Sequence, residues 1–153
     1  MKNKITPFLW FNSNAEDAAN FYFSVFPNSR KLNELRVTEA GPGPVGSLLA
    51  LDLEIEGQPV TFLNGGPAHR LSEAFSFTVV CETQAEIDDY WSKLTDGGSE
   101  LNCGWLKDKF GLCWQIVPAK LYETLAHPAA MRAMMTMKKF DIAALQQAAS
   151  QPE

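Results

Sequence analysis

At 153 residues the chain has the length of one ordinary domain, enough to bury a sizeable core. Hydrophobic residues make up 46% and charged residues 20%, which excludes a disordered polyelectrolyte. The formal charge of -5 argues against nucleic acid or an anionic membrane as partner, since both need a basic surface, and no apolar run approaches the roughly 18 residues of a membrane span.

The opening Met1-Lys2-Asn3-Lys4 is basic, but Ile5 to Phe11 is too short and too interrupted for a signal-peptide core. A cytoplasmic location is the default expectation. Cys81, Cys103 and Cys113 are too few and too widely spaced for a disulfide framework, so free thiols are expected.

In chain order, the aromatic-rich run Ile5 to Phe11 suits a buried strand. Asn14 offers an N-cap oxygen, with Glu16 and Asp17 favourable to the dipole of a helix whose face carries Ala18, Phe21, Tyr22 and Val25. Pro27-Asn28 ends it, and Lys31 to Thr38 mixes polar and apolar positions as a half-exposed strand would. Gly41-Pro42-Gly43-Pro44 is a loop. Ser47 to Glu56 alternates as a strand, Gly57-Gln58 turns, and Val60 to Leu63 returns as its hairpin partner before Asn64-Gly65-Gly66-Pro67.

The pattern then starts again. Phe75 to Cys81 is an apolar run, and Thr83-Gln84-Ala85-Glu86 is a capping box opening a helix with Ile87, Tyr90, Trp91 and Leu94 on one face. Glu100 to Leu106, a turn at Lys109 to Gly111 and a strand from Leu112 to Val117 follow. A shift of 69 positions takes Asn14 to Thr83, Ala18 to Ile87, Phe21 to Tyr90, Tyr22 to Trp91 and Val25 to Leu94 without a gap. This is an internal duplication: residues 1–118 form two βαβββ modules, about 1–67 and 72–118. Residues 119–153 read as a helical extension over Lys120 to Ala126, Ala129 to Met137 and Asp141 to Ala149, with Asp141 as an N-cap. Its Met131, Met134, Met135 and Met137 make a soft apolar surface suited to packing across the domain or on a second subunit.

Asn14-Ala15-Glu16-Asp17-Ala18-Ala19-Asn20-Phe21-Tyr22 resembles the first helix of vicinal-oxygen-chelate (glyoxalase, bleomycin-resistance and dioxygenase) proteins. Val25 to Ser29, Phe62 to Pro67, Cys103 to Asp108, Trp114 to Pro118 and Met137 to Ile142 resemble, within it, the PhnB-like group, often labelled demethylubiquinone methyltransferase-like. The resemblance covers nearly the whole chain. It implies an α+β fold in which two βαβββ modules form a cupped, incomplete barrel around one ligand cavity, in a homodimer. In metal-dependent relatives the first and last strands of each module carry His, Gln or Glu ligands.

Counting from Phe21-Tyr22, the first such position falls on Pro7, which has no donor, and the 69-residue shift carries it to Ser76. The end of the first module offers Phe62 or Asn64, and the end of the second offers Gln115, where relatives often have Glu. The chain's two histidines, His69 and His127, fall in a loop and in the tail and read as exposed. No metal site and no cofactor are therefore expected, since a divalent site needs about three or four converging strong donors. A methyl donor of the S-adenosylmethionine type usually sits on a glycine-rich turn between strand and helix. Here Pro67 follows Asn64-Gly65-Gly66 and no helix pattern opens.

What remains is a pocket wall. With Gln115 inward, alternation brings Cys113 and Val117 to the same side and turns Trp114 towards the helices. Leu9, Phe11, Ser76 and Thr78 are expected to face them. Asn64 and Gln115 can orient a carbonyl or amide, Trp105 can stack on a planar ligand and Lys107 can meet an acid. Asn64-Gly65-Gly66 reads more simply as a turn, Trp105 and Trp114 as core, and Lys107-Asp108-Lys109 as a solvated turn. Cys103, before Gly104-Trp105, is the most suggestive thiol, yet no histidine or helix N-terminus stands near it in sequence to activate it. The candidate ligand-binding residues are thus Phe11, Asn64, Ser76, Cys103, Trp105, Lys107, Cys113 and Gln115. They point first to a metal-free protein binding a small apolar or planar molecule. The alternative is an enzyme of the same superfamily, a lyase, dioxygenase or methyltransferase-like protein, acting on a quinone-like or dicarbonyl substrate. A third reading is a dimeric module without a ligand, whose Met-rich tail contacts another protein.

Overall fold

The structure, a computed structural model, describes residues 3–152, so the basic Met1-Lys2 start lies outside the described residues. The chain divides into two compact units, one running to Leu71 and the other starting at Ser72.

The first unit is a βαβββ module. Strand β1 (Phe8–Phe11) leads into helix α1 (Ala15–Val25), followed by β2 (Arg30–Arg36), β3 (Leu48–Ile55) and β4 (Gln58–Asn64). The sheet order is β1-β4-β3-β2, with β1 and β4 parallel and the other pairs antiparallel. The β3–β4 hairpin turns on Glu56-Gly57, one residue earlier than the sequence suggests. Both have positive φ (48° and 79°), which is the geometry of a type I′ turn. Helix α1 covers one face, where Tyr22 and Phe62 pack edge to face at 5.8 Å and Phe11 meets Phe62 at 4.7 Å. Leu9, Leu51, Leu53 and Val60 complete this core, and each such large side chain contributes about 2 kcal/mol by leaving water. Asn14 stands at the N-cap but makes no side-chain cap. The N–H of Ala15 instead donates to the side-chain oxygen of Asn64, at the end of β4, at 2.9 Å.

The second unit repeats the plan with β5 (Ser76–Cys81), α2 (Gln84–Thr95), β6 (Ser99–Glu100), β7 (Trp105–Lys107) and β8 (Cys113–Pro118), in the order β5-β8-β7-β6. The segment from Glu100 to Leu106 spans the joint of two short antiparallel strands, β6 and β7, connected through Leu101-Asn102-Cys103-Gly104. That hairpin completes the fourth strand of the repeat. The capping box is present in altered form: Glu86 N–H donates to the Thr83 hydroxyl at 3.2 Å, while the Glu86 carboxylate accepts from Glu82 N–H at 3.1 Å. Helices α3 (Leu121–Leu125), α4 (Pro128–Met134) and α5 (Ile142–Ala149) form the extension, with Asp141 capping α5 through Ala144 N–H. They belong to the second unit, and α3, α4 and α5 pack on one another.

The 69-residue shift superposes the helices, since Ala15 and Gln84 both open theirs, but not the first strands. Gly65 N–H donates to Phe11 O, and Ala119 N–H donates to Cys81 O. Phe11 therefore matches Cys81 at 70 positions, and Asn64 matches Pro118. The second module has one residue fewer between strand and helix, which shifts the alternation of every first-strand side chain. No helix among the described residues is long and apolar enough to cross a membrane.

Candidate functional site

Five of the eight candidate residues share one face of the second sheet. Strand pairing sets Ser76, Cys113 and Lys107 in one cross-strand row and Thr78, Gln115 and Trp105 in the next. Phe77, Trp114 and Leu106 form the intervening row on the opposite face, where the Phe77 and Trp114 rings meet at a tilt, 5.4 Å apart, beneath α2. The Gln115 amide N–H donates to the Ser76 hydroxyl at 3.0 Å. Lys107 pairs with Glu73 at 2.6 Å, which lowers the Glu73 pKa and raises that of Lys107. Beside Gln115, Thr78, Val80, Val117 and the exposed Tyr122 of α3 line a cleft of about 470 Å³. This face therefore offers one amide, two hydroxyls, an ion pair and an indole on apolar surroundings.

The other three candidates lie elsewhere. Phe11 faces α1 and belongs to the core of the first module, as does Leu9, so neither lies on the face turned away from the helix. Asn64 is used structurally at both ends of its amide, accepting from Ala15 N–H and donating to Leu48 O at 3.1 Å. It also borders a cleft of about 720 Å³ between Trp10 and the Pro42-Gly43-Pro44 loop, whose Arg36 already pairs with Glu34 and Glu16. Gly65 accommodates the Trp10 ring, since an added Cβ would stand 2.3 Å from it, and Gly66 supplies the positive φ of the turn. Cys103 sits at the corner before β7, its thiol 3.7 Å from Met134 O. Cys113 shares the face with Gln115 but is fully buried. Burial, and then the charge of Glu73, raises its thiol pKa. Burial raises Cys81 to about 11. Both thiols stay protonated at neutral pH and are poor nucleophiles.

One residue of this region differs from the sequence expectation. Asp108 is not in a solvated turn but buried, 2% exposed. Its carboxylate accepts from Phe110 N–H, Leu112 N–H and the Trp114 indole N–H at 2.8 to 3.1 Å. An Asp two residues before a Phe-Gly turn is an Asx-turn signal, and it was available in the sequence. The carboxylate fixes the β7–β8 turn and the tilt of Trp114, and so the row behind Gln115.

Residues 3–117 match the family model described as 3-demethylubiquinone-9 3-methyltransferase. The chain belongs to that family. The PhnB protein from Bacillus cereus is 35% identical, covering 76% of this chain and 100% of that one, with a TM-score of 0.69. Protein PA1353 from Pseudomonas aeruginosa (20% identity, 76% and 98% covered, TM-score 0.62) and the fosfomycin resistance protein FosX from Mesorhizobium loti (15%, 82% and 98%, 0.56) share the fold. No curated protein matches. The α+β architecture of two βαβββ modules is thus the glyoxalase-like one of the vicinal-oxygen-chelate superfamily.

The metal of that superfamily does not fit the donors of this member. The register moves the candidate positions: Phe62 and Asn64 both face α1, and the first-module residues turned away from it include Phe8 on β1 and Thr61 on β4. Their matches in the second module are Thr78 and Gln115. Phe8 has no donor atom, and the Thr61 hydroxyl is spent on Asp52 at 2.6 Å. Neutral hydroxyls and an amide are weak ligands for a divalent transition ion. Among the described residues no three of His, Cys, Asp or Glu converge, and His69 and His127 are exposed, His69 against the Trp10 ring. The Asn64-Gly65-Gly66 turn is not a strand-to-helix turn, because no helix follows β4 before β5.

Proposed function

We propose that this family member binds a small planar or apolar molecule on the face of β5, β8 and β7 turned away from α2, without a divalent ion. The supporting observation is the row Thr78–Gln115–Trp105 with Ser76 behind it. Gln115 spends one N–H on Ser76 and keeps its carbonyl oxygen for a ligand. The Ser76 contact fixes which way the amide faces, so a carbonyl or N–H on the ligand meets a preset partner at little entropic cost. Trp105 supplies flat apolar area, and Lys107, already satisfied by Glu73, tunes the field at the edge without demanding an anionic ligand. The methyl transfer named in the family description would need a donor site and a base, and the carboxylate at this face, Glu73, is already paired with Lys107. Binding without group transfer is the simpler chemistry for this surface.

A naphthoquinone probe tests the reading by thermal shift and calorimetry. Wild type should bind it, and Gln115→Ala should weaken binding about tenfold, roughly 1.4 kcal/mol, with the fold intact. Elemental analysis of protein never exposed to chelators should show no stoichiometric Zn, Ni, Mn or Fe. An ion at one equivalent, or a turnover lost in Gln115→Ala, would overturn the metal-free binding assignment in favour of an enzyme.

A further inference from the structure

We infer that the C-terminal extension is a clasp that holds the Cys103-Gly104 corner, and through it the placement of Trp105 and Lys107 on the ligand face. The proposal rests on the reading of that face given above. The corner is an unfavourable piece of backbone: Cys103 and Gly104 are both left-handed, with φ of 59° and 82°. A side-chain-bearing residue keeps such a conformation only where its surroundings impose it. The corner also leaves two successive N–H donors, those of Cys103 and Gly104, outside the strand ladder and in need of acceptors.

The tail fills that pair. Cys103 N–H donates to Met137 O at 2.8 Å and Gly104 N–H to Lys138 O at 2.7 Å. The fully buried Phe140 ring lies where a Cβ of Gly104 would be, 2.1 Å from that position. From the same corner the carbonyl of Gly104 accepts Ile116 N–H at 2.9 Å, which ties it to β8 between Gln115 and Val117. The tail is anchored at its other side to α2. The Gln84 side chain donates to Phe140 O and accepts from Ile142 N–H, both at 2.9 Å, and Lys139 pairs with Asp88 at 2.7 Å.

With β6 two residues long and β7 three, the hairpin has too short a ladder to fix this corner alone. The match to the family model covers residues 3–117, so the clasp residues lie outside the matched segment. Docked tail and formed ligand face are then one cooperative unit: loosening the first disorders the second.

The full-length chain carrying Phe140→Ala, and separately Gln84→Ala, provides the test by amide hydrogen exchange and naphthoquinone binding. Exchange at Cys103, Gly104 and Ile116 should quicken roughly tenfold or more, while Gly65 and Phe26 in the first module stay within about twofold. Affinity for the probe should fall roughly tenfold in parallel. Unchanged exchange at the three amides overturns the clasp. Faster exchange with undiminished affinity overturns its link to the ligand face. If wild type does not bind the probe, the reading of the face fails by itself, and the exchange data still decide the clasp. Should Phe140→Ala unfold, the milder Gln84→Ala carries the decision.

Discussion

The two modules share one strand order but secure the start of their helix by different means. In the first, Asn14 leaves the helix uncapped, and Asn64, 49 residues beyond Ala15, supplies the oxygen. In the second, Thr83 and Glu86 cap locally, and Pro118 stands where Asn64 would. The side chain at the end of the last strand is thereby released, and the chain continues into the extension. Gln84, at the first position of α2, then engages the tail. A duplicated fold conserves its topology more strictly than the contacts that close it. The first module closes through its own last strand, and the second delegates the task to added helices.

The largest expected difference between the modules lies at two glycines that each receive an aromatic ring. An added Cβ at Gly65 would meet Trp10 at 2.3 Å, and at Gly104 would meet Phe140 at 2.1 Å. Only Gly104 also has a positive φ, 82°. Both Gly→Ala changes must displace a ring, costing about 1–2 kcal/mol, and Gly104→Ala adds about 1–2 kcal/mol of backbone strain. Urea midpoints at constant m-value should therefore rank Gly104→Ala as the more damaging by that margin. Equal losses would mean that the corner relaxes freely.

A smaller effect separates the helix caps. Asn64→Ala removes the acceptor of Ala15 N–H and the donor to Leu48 O and should cost about 1–2 kcal/mol. Asn14→Ala should cost no more than about 0.5 kcal/mol, because its side chain caps nothing. Thr83→Ala, which loses a local cap, should fall between them at about 1 kcal/mol. Chemical denaturation of the three variants reads the order directly, and a larger loss for Asn14→Ala would break the contrast between distant and local capping.

The fold was legible because its signals are local and repeated. Period-3.6 faces at Ala18, Tyr22 and Val25, and again at Ile87, Trp91 and Leu94, fix both helices, and those residues are buried. The register of the first strands was not legible, because one residue lost between strand and helix reverses which side chains face the core without changing composition. That is why Phe11 and Phe62, read as cavity or ligand positions, are core. Asn14 alone holds the local position of an N-cap, and only the tertiary fold brings Asn64 to that task. On the second sheet the alternation of Cys113, Trp114 and Gln115 was readable from the last strand alone. The Asp108 turn carries a local Asx signal, but its burial against the Trp114 indole, and the strained Cys103 corner held by a tail more than 30 residues away, rest on contacts that no spacing rule reports.

The smallest expected effect concerns the ion pair at the edge of the ligand face. The hydrogen bond from Lys107 holds Glu73 below its ordinary 4.5, and the same bond holds Lys107 above its ordinary 10.5. The depressed carboxylate contributes stability that is present above pH 4.5 and is lost as pH falls through its folded value. The raised ammonium contributes stability that is present below pH 10.5 and is lost as pH rises through its folded value. The pair should therefore be flat in between, and weak, because both groups reach solvent. In Lys107→Met, an NMR titration of the Glu73 carboxyl should move back up towards 4.5, while the first-module ion pair keeps the Glu34 carboxyl low through Arg36. If Glu73 stayed low without Lys107, backbone contacts rather than the ammonium would be setting it, and the edge of the second sheet would owe nothing to this lysine.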